Sequence, residues 1–235
     1  MLATLVALLP PAEGRAAELV DLELLLAVDT SLSVSNAEFH LQMRGFARAF
    51  RHPAVLAAIR AAGDRGIAVA LMQWSDRNQQ VTSVDWMRVS NAVSANAFAA
   101  RIERTRRAFA GAGTSISGAL VAGVPAFARN GFEAPRRVMD ISGDGIDNRG
   151  PSPFSLRPRA EAAGVTVNGL TILNEDPHLD RYYERSVITG TGAFVMAAAD
   201  YDDFARAIIA KLVREISLGP IAELPQGDAR SEPDG

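Results

Sequence analysis

Leu22-Glu23-Leu24-Leu25-Leu26-Ala27-Val28 runs directly into Asp29-Thr30-Ser31-Leu32-Ser33, and that junction decides the reading of this chain. A nearly unbroken apolar run, with acidic breaks at Asp21 and Glu23, reads as a buried strand of a parallel sheet. An amphipathic segment opens near Asn36, so the polar stretch is a loop between a strand and a helix. Such a loop lies at the carboxyl edge of the sheet, where open α/β folds bind ligands. The D-x-S-x-S spacing supplies one carboxylate and two hydroxyls, hard oxygen donors of the kind that Mg²⁺, Mn²⁺ and Ca²⁺ prefer. Alone, a short loop rich in Ser and Asp is more often turn and N-cap chemistry than a metal site.

Two later segments change that balance. Gly111-Ala112-Gly113-Thr114-Ser115 precedes a helical pattern that runs to about Arg129. Arg137-Val138-Met139-Asp140-Ile141-Ser142 reads as another strand, and it ends in Gly143-Asp144-Gly145. Three polar loops therefore offer oxygen ligands in order: Asp29, Ser31 and Ser33, then Thr114, then Asp144. This order resembles the metal-ion-dependent adhesion site of von Willebrand factor type A domains. Each loop alone is a weak signal; the combination is specific. The resemblance implies that the two serines and the threonine coordinate a divalent cation, Mg²⁺ first and Mn²⁺ or Ca²⁺ as alternatives. It implies further that the carboxylates bind directly or through water. Leu32 departs from the pattern, since many type A domains have Gly between the two serines.

The likeness extends over residues 20–217. Val28-Asp29-Thr30-Ser31, Met72-Gln73-Trp74-Ser75, Ile141-Ser142-Gly143-Asp144-Gly145 and Val167-Asn168-Gly169-Leu170 are similar to phrases of an uncharacterised bacterial family with a type A-like fold. Gly190-Thr191-Gly192-Ala193-Phe194-Val195 and Lys211-Leu212-Val213-Arg214-Glu215-Ile216 fit the same family. It implies a fold and a metal site, and carries no activity with it.

The remaining chain alternates strand and helix signals, which predicts a mainly parallel sheet with helices on both faces. Strands are expected at residues 22–28, 67–74, 80–87, 136–142, 165–173 and 192–197. The expected architecture is a doubly wound, six-strand α/β sheet, von Willebrand A or Rossmann-like, in the order 3-2-1-4-5-6, with 80–87 antiparallel at one edge. Helical spacing through Phe39, Met43, Phe46, Phe50, Val55 and Ile59 spans 36–62, with Pro53 expected to kink or split it. Further helices are read at 94–107, 115–129, 155–164 and 201–217, and a short helix or turn at 179–188.

Composition bounds the function. A chain of 235 residues with 48% hydrophobic and 22% charged content suits one α/β domain with a sizeable core. A formal charge of −3 gives no nucleic-acid footprint. Nearly all the basic residues are arginine; Lys211 is the only lysine. With no cysteine, neither disulfide nor thiolate chemistry applies. Residues 1–9 form a short apolar stretch before Pro10-Pro11 and a small-residue region, resembling the core and cleavage parts of a secretory signal. Residues 1–19 are read as a signal peptide or N-terminal tail, and 218–235 as a disordered tail. Periplasmic or secreted location is the expectation, with cytoplasmic as the alternative, and no segment is long enough to span a bilayer.

Other chemistries fare worse. His40, His52 and His178 are dispersed, without zinc or triad spacing. Asp29 after a strand fits a haloacid-dehalogenase-type nucleophile, but the second Asp of that motif is Ser31 here. Residues 111–117 lack the Lys of a phosphate-binding P-loop. Trp74 and Trp86 are read as core rather than ligand-stacking residues. Asp147 and Asn148 are read as turn formers.

Two function classes remain. In the first, a binding module, five protein oxygens leave one position on the ion for an acidic residue of a protein partner, with Leu32, Gly113 and Ile146 as an apolar rim. In the second, a metal-assisted hydrolase, the ion activates water and Asp147, Glu38 or a histidine acts as base. The absence of a compact acid–base pair favours the first.

Overall fold

A computed structural model describes residues 16–109 and 113–217. Residues 1–15, 110–112 and 218–235 lie outside it, and with them most of the expected N-terminal segment 1–19, Gly111-Ala112 of the second loop and the C-terminal tail.

Eight strands and seven helices follow one another among these residues: β1 Glu18–Leu19, β2 Leu22–Asp29, α1 Asn36–Arg51, α2 Pro53–Ala62, β3 Ile67–Trp74, β4 Gln80–Val89 and α3 Ala92–Glu103. Then come α4 Ile116–Gly123, β5 Phe132–Glu133, β6 Arg137–Gly143, α5 Arg157–Ala162, β7 Val165–Ile172, α6 Leu179–Ser186, β8 Val195–Ala198 and α7 Phe204–Ser217. The main sheet has six strands in the order β4-β3-β2-β6-β7-β8. Every pairing is parallel except β3 with β4, so the expected order and the antiparallel edge are both present.

Strand β2 is buried at all eight positions because both of its faces are covered. Leu22, Leu24, Leu26 and Val28 point into a core shared with α1, α2, α3 and α7, while Leu25 and Ala27 point into a core shared with α4, α5 and α6. That division is the two-residue period of a strand acting on an unbroken apolar run. Glu23 stays in the strand because Asn130 and Arg137 meet its carboxylate.

Pro53 splits the long helical pattern instead of kinking it. As the first residue of α2 it needs no amide donor, and His52 Nδ1 caps the new helix by accepting from Ala54 N at 3.2 Å. The pattern at 115–129 also breaks early: α4 stops at Gly123, and a 3₁₀ turn through Pro125 continues to Arg129. Two features had no sequence signal. Strand β1 pairs in parallel with β5 over two residues each, so ordered backbone begins before residue 20. The buried face of α7 carries Lys211 and Glu215 beside Phe204, Ile208, Leu212 and Ile216.

Strand β2 is followed by a helix on one face, and its neighbour β6 by a helix on the other. The chain parts there and opens a crevice at the carboxyl ends of the two strands.

Candidate metal centre

Strand β2 ends on Asp29 and β6 on Gly143, side by side in the sheet. The loop after β2 is held from three directions. Thr30 donates to Trp74 O through its amide at 2.8 Å and its hydroxyl at 3.0 Å. Gln42 Nε2 donates to Asp29 O at 3.3 Å. The Arg107 guanidinium donates to Thr30 O at 3.0 Å, Ser31 O at 2.9 Å and Asn36 Oδ1 at 3.1 Å. Ser35 and Glu38 form a reciprocal cap at the start of α1.

Within this frame the sequence-predicted oxygens converge. Ser31 N donates to Asp29 Oδ1 at 2.6 Å, and the Ser31 and Ser33 hydroxyls are 3.1 Å apart. Ser33 Oγ donates to Asp144 Oδ1 at 2.6 Å, bridging the first and third loops. Thr114 faces Ser33 and Asp144 across a cleft of about 240 Å³, also lined by Gly145, Ile146, Asn148, Glu175 and Asp176. Asp29, Ser31 and Asp144 are fully buried beneath it, and Ser33 is exposed at the mouth.

The second loop is tied to the third. Thr114 N donates to Asn148 Oδ1 at 3.0 Å, and Asn148 N returns a bond to Thr114 O at 2.9 Å. Asp147 accepts from Ser117 N at 2.7 Å and Arg149 N at 3.1 Å, which fixes the start of α4. Asp147 and Asn148, read from sequence as turn formers, thus hold Thr114 in place. The expected apolar rim needs one correction. Leu32 is 69% and Ile146 49% exposed, but Gly113 is buried under the Arg149 side chain and cannot contribute.

Electrostatics mark this cluster as incomplete. Burial, reinforced by the Asp144 charge, pushes the Asp29 carboxyl up to about 8 despite its bonds from Ser31. Burial also raises Asp144; Glu175 and Glu38 add to the rise, and Ser33 and Tyr201 oppose it. Asp29 Oδ2 is buried with no hydrogen-bond partner. A buried carboxylate oxygen with neither partner nor countercharge is costly, and a cation beside it removes both defects. Two carboxylates and three hydroxyls, with no thiolate or imidazole, form the oxygen-only set of a hard cation, so the residues present fit such an ion.

Sequence reasoning missed several participants. Tyr201, just before α7, donates its hydroxyl to Asp144 Oδ2 at 2.9 Å. Tyr183 places a buried, unpartnered hydroxyl beside Gly143, as Asp29 Oδ2 does. Glu175 and Asp176 give the cleft an acidic wall. None has a local motif; only the fold brings them there.

The model of a family described as "Protein of unknown function (DUF1194)" matches residues 19–219. No functionally curated protein matches the chain. Among solved structures, proximal thread matrix protein 1 from the mussel byssus, with a zinc-occupied MIDAS motif, is similar at 17% identity and a TM-score of 0.61. That alignment covers 87% of this chain and 49% of the byssus protein. The open conformation of the pilus adhesin SpaC from Lactobacillus rhamnosus GG aligns at 14% identity, TM-score 0.58, over 86% of this chain and 31% of SpaC. The vWF domain of the type V pili tip protein Mfa5 from Porphyromonas gingivalis aligns at 11% identity, TM-score 0.57, over 87% and 99%. The chain thus spans about half of the byssus protein and under a third of SpaC. The fold is that of a von Willebrand factor type A domain.

Proposed function

The chain belongs to the DUF1194 family, and on its type A fold we propose a metal-ion-dependent binding module, the ion held by Asp29, Ser31, Ser33, Thr114 and Asp144. The observation that carries this reading is the buried, unpartnered Asp29 Oδ2 on a carboxylate joined through Ser31 and Ser33 to Asp144. When bound, the cation supplies a Lewis-acidic centre that accepts an anionic ligand. The protein's own groups set the rest. Exposed Ser33 and buried Thr114, both lining the cleft, would bring hydroxyls to the ion, and the buried carboxylates would provide its countercharge. Mg²⁺ is the proposed ion, with Mn²⁺ and Ca²⁺ as substitutes.

The proposed ligand is an acidic side chain of a protein partner, seated between Leu32 and Ile146. The wall of Glu175 and Asp176 adds a condition: the incoming carboxylate must reach the ion directly, and a basic residue beside it on the partner gains from those two charges. A periplasmic or secreted location accords with the pilus adhesin and the pili tip protein that share the fold. No helix among the described residues is long and apolar enough to cross a membrane.

Little favours the hydrolase reading. Glu38 is engaged with Ser35 N at 2.7 Å, and Asp147 with the amides of Ser117 and Arg149. Neither residue lines the cleft beside Ser33, Thr114 and Asp144, where a base would have to reach a bound water. Thermal melts of the full chain with Mg²⁺, with Mn²⁺ and with EDTA test the proposal, with phosphoester and ester hydrolysis followed in the same samples. A metal-dependent rise in melting temperature without turnover is expected. Turnover that requires the ion would replace the binding reading by the hydrolase one.

A further inference from the structure

On the face of the sheet that carries α7, away from the cleft, Lys211 is fully buried between two carboxylates. Its Nζ stands 2.6 Å from Asp140 Oδ1 on β6 and contacts Glu215 Oε1 one turn along α7. Asn168 Nδ2 on β7 donates to that same Glu215 oxygen at 2.9 Å. The Phe194 ring lies 5.3 Å from Nζ and shields the group, with Arg214 stacked on the same ring. Arg136 approaches only the backbone carbonyls of Glu215 and Ile216. Nothing in the cation site uses these residues.

As a structural ion pair the arrangement is poor. Two carboxyl groups share one ammonium in a dry interior, so burial favours one of them in its protonated form, and a well-packed hydrophobic trio of similar volume is often no less stable. The Lys211–Asp140 contact is also oblique: neither Asp140 oxygen has a hydrogen-bond partner despite the short separation. As a reactive pair it is well placed. An amine 2.6 Å from a carboxyl oxygen lies no more than one C–O bond length farther from the carboxyl carbon. That limits the N···C separation to about 3.8 Å, a short approach from the separation of about 3–3.5 Å of a near-attack geometry. A lysine is a nucleophile once its amine is neutral, and burial favours the neutral form of the two acids. Burial raises both Asp140 and Glu215, with Lys211 opposing.

We propose that Lys211 and Asp140 condense into an intramolecular amide joining β6 to α7, with Glu215 as the proton carrier. With Glu215 already in its protonated form, transfer of one proton from Lys211 to Asp140 leaves an amine and a carboxylic acid. Nζ attacks Cγ of Asp140 and the C–N bond forms. Protonated Glu215 gives its proton to the departing oxygen, the C–O bond breaks and one water leaves. Nζ then returns a proton to Glu215. An ammonium and a carboxylate become an amide and a water, Glu215 is regenerated, and no oxidant or co-reactant enters. The product removes the buried ion pair and ties the last helix of the fold to the strand that ends in Gly143.

Intact-mass spectrometry of the purified full chain tests this. The expected mass is one water below that of the sequence, with a branched peptide linking Asp140 to Lys211 after proteolysis. Lys211→Met removes the nucleophile but risks the fold. Glu215→Gln keeps the volume and removes the proton carrier, so it should melt cooperatively at lower temperature and show the full mass. A folded wild-type chain of full mass, with Lys211 unmodified in the peptide map, overturns the proposal. So does a mass deficit that maps to Asp144-Gly145, where backbone cyclisation also expels water. A deficit that persists in Glu215→Gln overturns the role given to Glu215.

Discussion

Asp29 is fully buried with one carboxylate oxygen unpartnered, and its cost depends on pH. The unfolded carboxyl titrates near 4, whereas the buried one is pushed up to about 8. The folded chain therefore binds this proton more tightly, and metal-free stability due to Asp29 falls as pH rises between those values. Asp29→Asn should flatten that slope in melts from pH 5 to 8, while removing the metal-induced shift. Because the ligand must be ionised, apparent cation affinity of the wild type should rise by about tenfold per pH unit up to that point. A pH-independent affinity would show that Asp29 does not bear on the ion. Tyr201→Phe removes the hydroxyl donated to Asp144 Oδ2 and leaves a buried carboxylate oxygen unsatisfied. It should lower metal-free stability by about 1–3 kcal/mol in denaturant titrations; no loss would mean that water replaces the phenol. All five candidate ligands could be read from the chain because their loops carry compact motifs. Tyr201, Tyr183 and Arg107 could not, since each reaches the site from a distant segment with nothing local to mark it.

At the level of elements, the end of β6 controls the shape of the site. A methyl group at Gly143 would lie 2.8 Å from Tyr183 Oη and 3.0 Å from Asp29 Oδ2, whereas one at Gly145 would meet Thr114 Oγ1 at an ordinary 3.7 Å. Gly143→Ala should therefore displace the Asp29 carboxylate and abolish most of the metal-induced rise in melting temperature, while Gly145→Ala should keep it. Equal behaviour of the two variants would contradict the placement of Asp29 beside Gly143. The strands were readable because runs such as Ile67–Trp74 are buried on both faces and need no polar alternation. The ends of the helices were harder. Asn91 caps α3, so it starts earlier than its apolar spacing suggests, and it stops at Glu103. Beyond it, the carbonyl of Arg106 is taken by Gln73. The β1–β5 pair, two residues on each side, is too short to leave any periodicity.

For the whole molecule, the acidic wall of the cleft opposes an acidic ligand and favours a cation. Glu175→Gln should weaken cation affinity modestly and strengthen metal-dependent binding of an acidic peptide, and both changes should shrink at high salt. Titration calorimetry with Mg²⁺ and then with the peptide would show it; two changes of the same sign would contradict this account of the wall. The central claim is that the three loops brought together by β2 and β6 hold one cation. Anomalous diffraction from crystals grown with Mn²⁺ tests it most directly. A single strong peak is expected, bounded by the hydroxyls of Ser31, Ser33 and Thr114 and the carboxylates of Asp29 and Asp144, and absent from crystals of Asp29→Ala. A cleft with no peak at saturating Mn²⁺, or a peak unchanged in the variant, would contradict it.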